Sequence, residues 1–209
     1  MNPTGPIRIL SVDDHPMLRE GIAAVLASEQ DIVLVAEASN GREAVEQFRI
    51  HRPDVTLMDV QMPEVNGIDA IAKIREEFPD ARIIVLTTYT GDAQASRAFK
   101  AGAAGYLLKN MVRKELIDTI RTVHSGKKKI PAEIAVEMAQ HHSDDALTER
   151  EIEVLREVAA GNANKMVAKL LNISEETVKA HMRSILSKLG ANDRTHAVTI
   201  AVKRGIIEI

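Results

Sequence analysis

Five polar side chains in this sequence could together carry out phosphoryl chemistry if the fold brings them to one place. They comprise three carboxylates, one hydroxyl and one ammonium group, at Asp13, Asp14, Asp59, Thr87 and Lys109. Crowded carboxylates repel one another, and a divalent cation with oxygen ligands, such as Mg²⁺, relieves that repulsion. The cation and the ammonium group would offset negative charge on transferring oxygens, so that one carboxylate could accept a phosphoryl group.

The elements that must position these residues can be predicted from the first 125 residues, where short apolar runs alternate with helical patterns. Buried strands are predicted at 7–12, 32–37, 54–59, 82–87 and 105–108. Helices are predicted near 16–28, 41–51, 66–77, 92–101 and 112–124. This alternation implies right-handed crossovers and an α/β fold, a five-stranded parallel doubly wound sheet covered on both faces.

The five polar residues all fall at strand ends. Asp13 and Asp14 follow the first strand, Asp59 ends the third, Thr87 ends the fourth and Lys109 follows the fifth. Open parallel sheets bind ligands outside the carboxyl ends of their strands. Each residue alone is typical of a solvated loop, but their convergence from four strands predicts a site.

The motifs around these residues are VDDH, LMDVQMP, VLTT and GYLLK. With them, residues 7–124 resemble the receiver domain of two-component response regulators. The resemblance implies that Asp59 is the phosphoacceptor, that Thr87 turns its hydroxyl toward the phosphoryl oxygens and that Lys109 pairs with the phosphate. It also implies that Tyr106 moves inward in step with Thr87.

The same resemblance implies an Mg²⁺ site. Asp14 and Asp59 would hold the ion with the backbone carbonyl of Gln61, and Asp13 would act nearby through water. His15 follows the acidic pair but begins a helix before Pro16. A packing or exposed position is therefore expected for His15 rather than a metal ligand.

A second functional region is predicted at residues 174–190, where one helix has two distinct faces. Ser174 is a natural N-cap. The apolar stripe that would dock on a core consists of Val178, Met182, Ile185, Leu186 and Leu189. Lys179 and Arg183 lie four residues apart on another face, with Lys188 further along. A helix that buries one side and presents cations on the other suits a DNA major groove.

The flanking sequence extends this pattern. An amphipathic helix at 147–161, capped at Thr148, precedes a short helix within 164–174, and a fourth amphipathic segment covers 192–207. Without this flanking sequence, an apolar stripe with a few cations would be typical of an ordinary amphipathic surface helix. Two short helices joined by a tight turn instead indicate a helix-turn-helix. Residues 147–205 resemble the LuxR-type helix-turn-helix output domain.

The LuxR-type resemblance implies two groups of DNA-binding residues. Lys179, Ala180 and Arg183 would face base edges, whereas Lys165, Thr177 and Lys188 would lie nearer phosphates. Both resemblances together identify a response regulator of the NarL/FixJ subfamily.

Composition agrees with two ordinary domains in 209 residues. The sequence has no cysteine, which fits a reducing cytoplasm, and its scarce aromatics argue against stacking on single-stranded nucleic acid. No apolar run could span a bilayer and no signal peptide is evident, so a soluble cytoplasmic protein without a membrane partner is expected.

The distribution of charge indicates two regions of the chain with a linker between them. Residues 1–125 carry 14 basic and 18 acidic side chains, whereas residues 146–209 carry 10 and 8. The predicted receiver domain is 1–124 and the predicted DNA-binding domain is 146–209. Between them, 125–145 is expected to be a linker with one short helix at 132–140, flexible at both ends.

The resemblance implies a transcription factor rather than an enzyme, in which the receiver itself would catalyse only its own phosphorylation from phosphodonors and its own slow dephosphorylation. A sensor histidine kinase would phosphorylate Asp59, and the active protein would bind promoter DNA as a homodimer. One alternative is a phosphatase or phosphotransferase; it would need a second acid where Gln61 stands. Another is a constitutive DNA binder whose receiver serves only for dimerisation.

Overall fold

The computed structural model describes residues 5–88, 91–140 and 146–207. The described chain forms two compact units, one built mainly from residues up to 132 and the other mainly from residues 133 onward. The first unit contains the sheet and the second is helical, in agreement with the predicted fold class.

The first unit is built on a parallel sheet with the strand order β2-β1-β3-β4-β5. The strands are β1 (Ile7–Val12), β2 (Ile32–Ala38), β3 (Val55–Asp59), β4 (Ile83–Thr87) and β5 (Gly105–Leu108). Every residue of β3, β4 and β5 is buried, as expected for strands covered on both faces. The predicted fold class is confirmed, with strand ends shifted by at most one residue.

Four helices connect successive strands: α1 (Pro16–Ala27), α2 (Gly41–His51), α3 (Gly67–Glu77) and α4 (Asp92–Ala101). A fifth, α5 (Val112–His124), follows β5. Local chemistry sets several of their starts. The side chains of Asn40 and Asn66 accept hydrogen bonds from the third residue beyond each, and proline occupies the first turn of α1. Apolar faces of α1 and α5 pack on the sheet in a core that includes Ile9, Ile22, Leu57, Ile84, Leu116 and Ile120.

The chain after α5 returns to the sheet. The backbone N–H of Tyr106 donates to the carbonyl of Lys129 (3.0 Å), and the N–H of Lys129 donates to the carbonyl of Ala104 (3.1 Å). The Lys129 ammonium group also lies 2.8 Å from a carboxylate oxygen of Asp118 on α5. The start of the segment expected to be a flexible linker is therefore paired with the edge strand β5. Helix α6 (Ala132–Gln140) follows, where a short helix is predicted.

The second unit contains α7 (Glu149–Ala159), α8 (Asn164–Leu171), α9 (Glu175–Leu189) and α10 (Arg194–Lys203). Thr148 and Ser174 cap α7 and α9 as predicted, and Asn172 and Gly190 end α8 and α9 in the left-handed conformation. The predicted apolar stripe of α9 faces the core of this unit, which includes Val154, Val167, Val178, Met182, Ile185 and Ala197.

Candidate functional site

The carboxyl ends of the strands bring the predicted phosphoryl site together. Asp13 follows β1 and Asp59 ends β3, and both are almost fully buried. Lys109, directly after β5, places its Nζ 2.8 Å from Asp13 Oδ2 and 2.8 Å from Asp59 Oδ2. Thr87 ends β4 and is also buried. Residues separated by up to 96 positions in sequence thus share one edge of the sheet because parallel strands end there.

Burial and charge act in opposite directions on this cluster. Burial raises the pKa of the Asp59 carboxyl above its ordinary value, and the nearby Asp13 raises it further, while Lys109 opposes the shift. Burial lowers the pKa of the Lys109 ammonium group, but its interactions with Asp13 and Asp59 outweigh that effect and the net pKa is raised. Lys109 therefore stays charged at neutral pH and compensates the buried carboxylates.

The acidic cluster fits a hard divalent cation. Asp13, Asp14, His15 and Asp59 each place one potential ligand atom within 4.8 Å of the others. Asp13 Oδ2 and Asp14 Oδ1 are buried, 2.8 Å from Lys109 Nζ and 2.7 Å from His15 Nδ1, but make no hydrogen bond within the described protein. Carboxylate oxygens of this kind are the ligands that Mg²⁺ prefers. Gln61 lies in the loop after β3, where its backbone N–H donates to Asp59 Oδ1 at 3.1 Å.

Tyr106 has a buried side chain, as does Thr87. The two residues lie on the adjacent parallel strands β4 and β5, where Val85 is the register partner of Tyr106 and Leu108 that of Thr87. The Tyr106 ring packs 6.3 Å from the Phe99 ring of α4. The predicted switch pair is thus placed on neighbouring strands; its concerted movement stays a prediction.

Four of the six predicted DNA-binding residues are exposed: Lys165, Lys179, Ala180 and Arg183. On α9, Lys179 pairs loosely with Glu176 at 3.2 Å, and Arg183 Nε donates to the Lys179 carbonyl at 3.4 Å. These exposed contacts contribute little stability, so both cations can be given up to another partner. Thr177 is partly buried at the start of α9, with its hydroxyl 2.8 Å from that of Ser174.

Lys188, the sixth of these residues, has a different environment. Its Nζ lies 2.7 Å from Glu151 Oε2 and its side chain is 23% exposed, whereas that of Glu151 is 5% exposed. Ser184 Oγ donates to the other oxygen of Glu151 at 2.6 Å, and the N–H of Thr148 donates to Oε2 at 2.7 Å. Lys188 is therefore tied into the domain by an ion pair. Glu151 is not among the predicted residues, although Thr-x-x-Glu at 148–151 is a capping-box pattern that could have indicated it.

Comparison with known families matches both regions. The model of the response regulator receiver domain matches residues 9–121, and the model of the LuxR family of bacterial regulatory proteins matches residues 145–201. The chain is a LuxR-type response regulator. The acidic cluster lies in the receiver match and the exposed cations of α9 in the LuxR match.

Relatives of this response regulator match it over nearly their whole length. The transcriptional regulatory protein LnrK of Bacillus subtilis is 37% identical over 216 residues, covering 96% of this chain and 98% of that protein. The response regulator VraR of Staphylococcus aureus is 36% identical over 207 residues, covering 97% and 99%. A structure of RcsB from Salmonella enterica serovar Typhimurium, bound to a promoter with a phosphomimetic, has a TM-score of 0.73 at 26% identity, covering 95% and 99%.

These matches settle the class of the protein. The response regulator is a transcriptional regulator and not an enzyme acting on a separate substrate, in agreement with the sequence analysis. In the described part of the chain, no helix has the length and apolar character needed to cross a membrane.

Proposed function

We propose that this response regulator is switched by phosphorylation of Asp59 by a sensor histidine kinase, and that the phosphorylated form dimerises and binds promoter DNA. The observation that carries the proposal is the ion pair of buried Asp59 with Lys109 beside two further carboxylates. A buried carboxylate between a fixed cation and a potential metal site is positioned to accept a phosphoryl group.

In the proposed transfer, an oxygen of Asp59 forms the new bond to phosphorus while the nitrogen–phosphorus bond of the kinase phosphohistidine breaks. The released imidazole takes up a proton. Asp14, Asp59 and the Gln61 carbonyl would hold Mg²⁺, with Asp13 nearby, and the bound ion supplies positive charge for the phosphoryl oxygens. Lys109 keeps its proton because its pKa is raised, and it pairs with the phosphate.

The proposed response begins when the Thr87 hydroxyl turns toward the new phosphoryl oxygens and Tyr106 moves with it. The backbone of Tyr106 is hydrogen-bonded to Lys129, three residues before the start of α6. A displacement of β5 would therefore pull on the chain that joins receiver and output domain. In this scheme the protein consists of a receiver (1–124), a linker (125–145) and a DNA-binding domain (146–209).

The dimer would place two copies of α9 in successive major grooves, with Lys179, Ala180 and Arg183 at base edges and Lys165, Thr177 and Lys188 nearer phosphates. The RcsB structure bound to a promoter supports this part of the proposal. Because promoter DNA is the ligand, the scheme requires the protein to act in the bacterial cytoplasm.

The proposal is tested by measuring molecular mass and DNA affinity side by side, in Mg²⁺, with and without beryllofluoride. A change from monomer to dimer with DNA binding tighter by about 5- to 150-fold is expected from a coupling of about 1–3 kcal/mol. Hydrogen exchange at residues 104–106 and 129 should change in the same samples. Unchanged mass and affinity at full occupancy of the site would leave a constitutive DNA binder as the correct description.

Lys179→Ala is expected to weaken specific DNA binding by about 1–3 kcal/mol, because an exposed cation at the groove is lost without disturbing the core. Fluorescence anisotropy with a specific and a scrambled duplex measures the effect. Arg156→Ala, which removes an exposed cation from α7, is the matched control. Equal losses for both variants would show that α9 has no special role.

A further inference from the structure

The imidazole of His15 lies against the acidic cluster of the receiver. Its Nδ1 is 2.7 Å from Asp14 Oδ1 and 3.2 Å from Asp13 Oδ1. The backbone N–H of His15 donates to Asp13 Oδ1 at 2.9 Å, and His15 is the residue immediately before α1. The backbone thus fixes the position from which the ring extends over the site.

The ring of His15 is placed where a nitrogen ligand of a metal ion could lie. One ring nitrogen of His15 and one carboxylate oxygen each of Asp13, Asp14 and Asp59 lie mutually within 4.8 Å. Asp14 Oδ1 is buried and makes no hydrogen bond with the described protein, despite its short distance from His15. A buried carboxylate oxygen without a hydrogen bond and the imidazole nitrogen beside it could together bind one cation, as ligands of a mixed oxygen and nitrogen coordination sphere.

We propose that His15 is a metal ligand of this site and that it raises the affinity of the receiver for first-row transition-metal dications relative to Mg²⁺. The proposal rests on the divalent-cation site of the proposed function. Mg²⁺ favours carboxylate, carbonyl and water oxygens, so His15 adds little to its binding. Imidazole nitrogen suits Ni²⁺, Zn²⁺ and similar ions, and the affinity of a given site rises from Mn²⁺ through Ni²⁺ to Cu²⁺ before it falls at Zn²⁺. His15 therefore determines which cation the receiver holds when several compete.

A purely hydrogen-bonding role for His15 makes a different prediction. In that case the ring would orient Asp13 and Asp14 for any cation, and its removal would weaken Mg²⁺ and Ni²⁺ binding alike. A nitrogen ligand instead produces a selective loss. The discriminating quantity is the ratio of the Ni²⁺ and Mg²⁺ dissociation constants.

The test titrates the full chain with Ni²⁺ and with Mg²⁺ by calorimetry and counts only the Ni²⁺ that excess Mg²⁺ displaces. His15→Gln should lower Ni²⁺ affinity by about tenfold or more and leave Mg²⁺ affinity within about twofold. His181→Gln, which removes a histidine from α9, is the matched control. In pulsed electron paramagnetic resonance, Mn²⁺ at the site should couple to a nitrogen nucleus in the wild type and not in His15→Gln.

Each outcome decides one of the two claims. Mg²⁺ binding that persists unchanged in Asp14→Asn, or is absent in the wild type, would refute the metal site of the proposed function. Normal Mg²⁺ binding with equal Ni²⁺ affinity in wild type and His15→Gln, and no nitrogen coupling, would refute the role of His15 alone. Parallel losses for both ions would assign His15 the hydrogen-bonding role and equally overturn the proposal.

Discussion

Asp59→Asn is expected to eliminate phosphoryl labelling of this protein and, with it, any gain in DNA affinity caused by a phosphodonor. Asparagine has nearly the same shape and can still accept a hydrogen bond from Lys109, but its amide cannot serve as the nucleophile. Labelling is measured by mass spectrometry of the intact protein after incubation with a small phosphodonor and Mg²⁺. DNA affinity is measured in the same samples.

The same variant should raise the free energy of unfolding of the receiver at neutral pH. The pKa of Asp59 is raised in the folded state because of burial, so its ionised form opposes folding above the ordinary pKa of an aspartate. Asparagine removes that charge, and the free energy of unfolding should therefore rise. The unfavourable buried charge is retained in the wild type because the site needs it for its function. Asp80→Asn, at an exposed position of the receiver, should change neither property. Persistent labelling of Asp59→Asn would show that another acid is the phosphoacceptor.

The location of the acidic site could be predicted from the sequence because it depends on topology rather than on side-chain detail. Once apolar runs and helical patterns alternate, parallel strands follow, and Asp13, Asp59 and Lys109 must meet at one edge. The two 2.8 Å contacts of Lys109 then depend only on a long side chain that reaches two buried carboxylates.

The contacts that individual side chains and backbone groups make outside their own helix or strand could not be predicted in the same way. His15 looks like an exposed residue at a helix start, and it is 69% exposed; only the structure places its Nδ1 between two carboxylates. The pairing of Lys129 with β5 involves backbone groups, which leave no pattern in the side chains. Lys188 looks like the other cations of α9, because nothing in that helix indicates a partner 37 residues earlier.

The partner of Lys188 is the centre of the second large effect. Glu151 joins the N-terminus of α7 to α9 through the Thr148 capping box, the Ser184 hydroxyl and the Lys188 ammonium group. Burial tends to raise the pKa of Glu151, but hydrogen bonds from Lys188, Ser184 and Thr148 outweigh it and lower that pKa to about 2. The carboxylate is therefore strongly favoured in the folded output domain.

Glu151→Gln should destabilise the output domain by about 2–4 kcal/mol, because Lys188 is left as a partly buried cation without its counter-charge. Hydrogen exchange resolved over residues 149–189, at pH 7 in the full chain, measures this loss. Glu153→Gln, which removes an exposed acid of α7, is the matched control and should have little effect. A combined Glu151→Gln and Lys188→Met variant should recover part of the stability, since the unpaired cation is then absent.

The pH dependence provides an independent check on the same network. Since the folded pKa of Glu151 is lowered to about 2 from an ordinary 4.5, its contribution is fully present above pH 4.5 and is lost as the pH falls toward 2. The shift corresponds to about 3 kcal/mol. The stability difference between wild type and Glu151→Gln should therefore shrink across this window. A difference that is constant from pH 6 to pH 3 would mean that packing around Glu151, rather than its charge, joins α7 to α9.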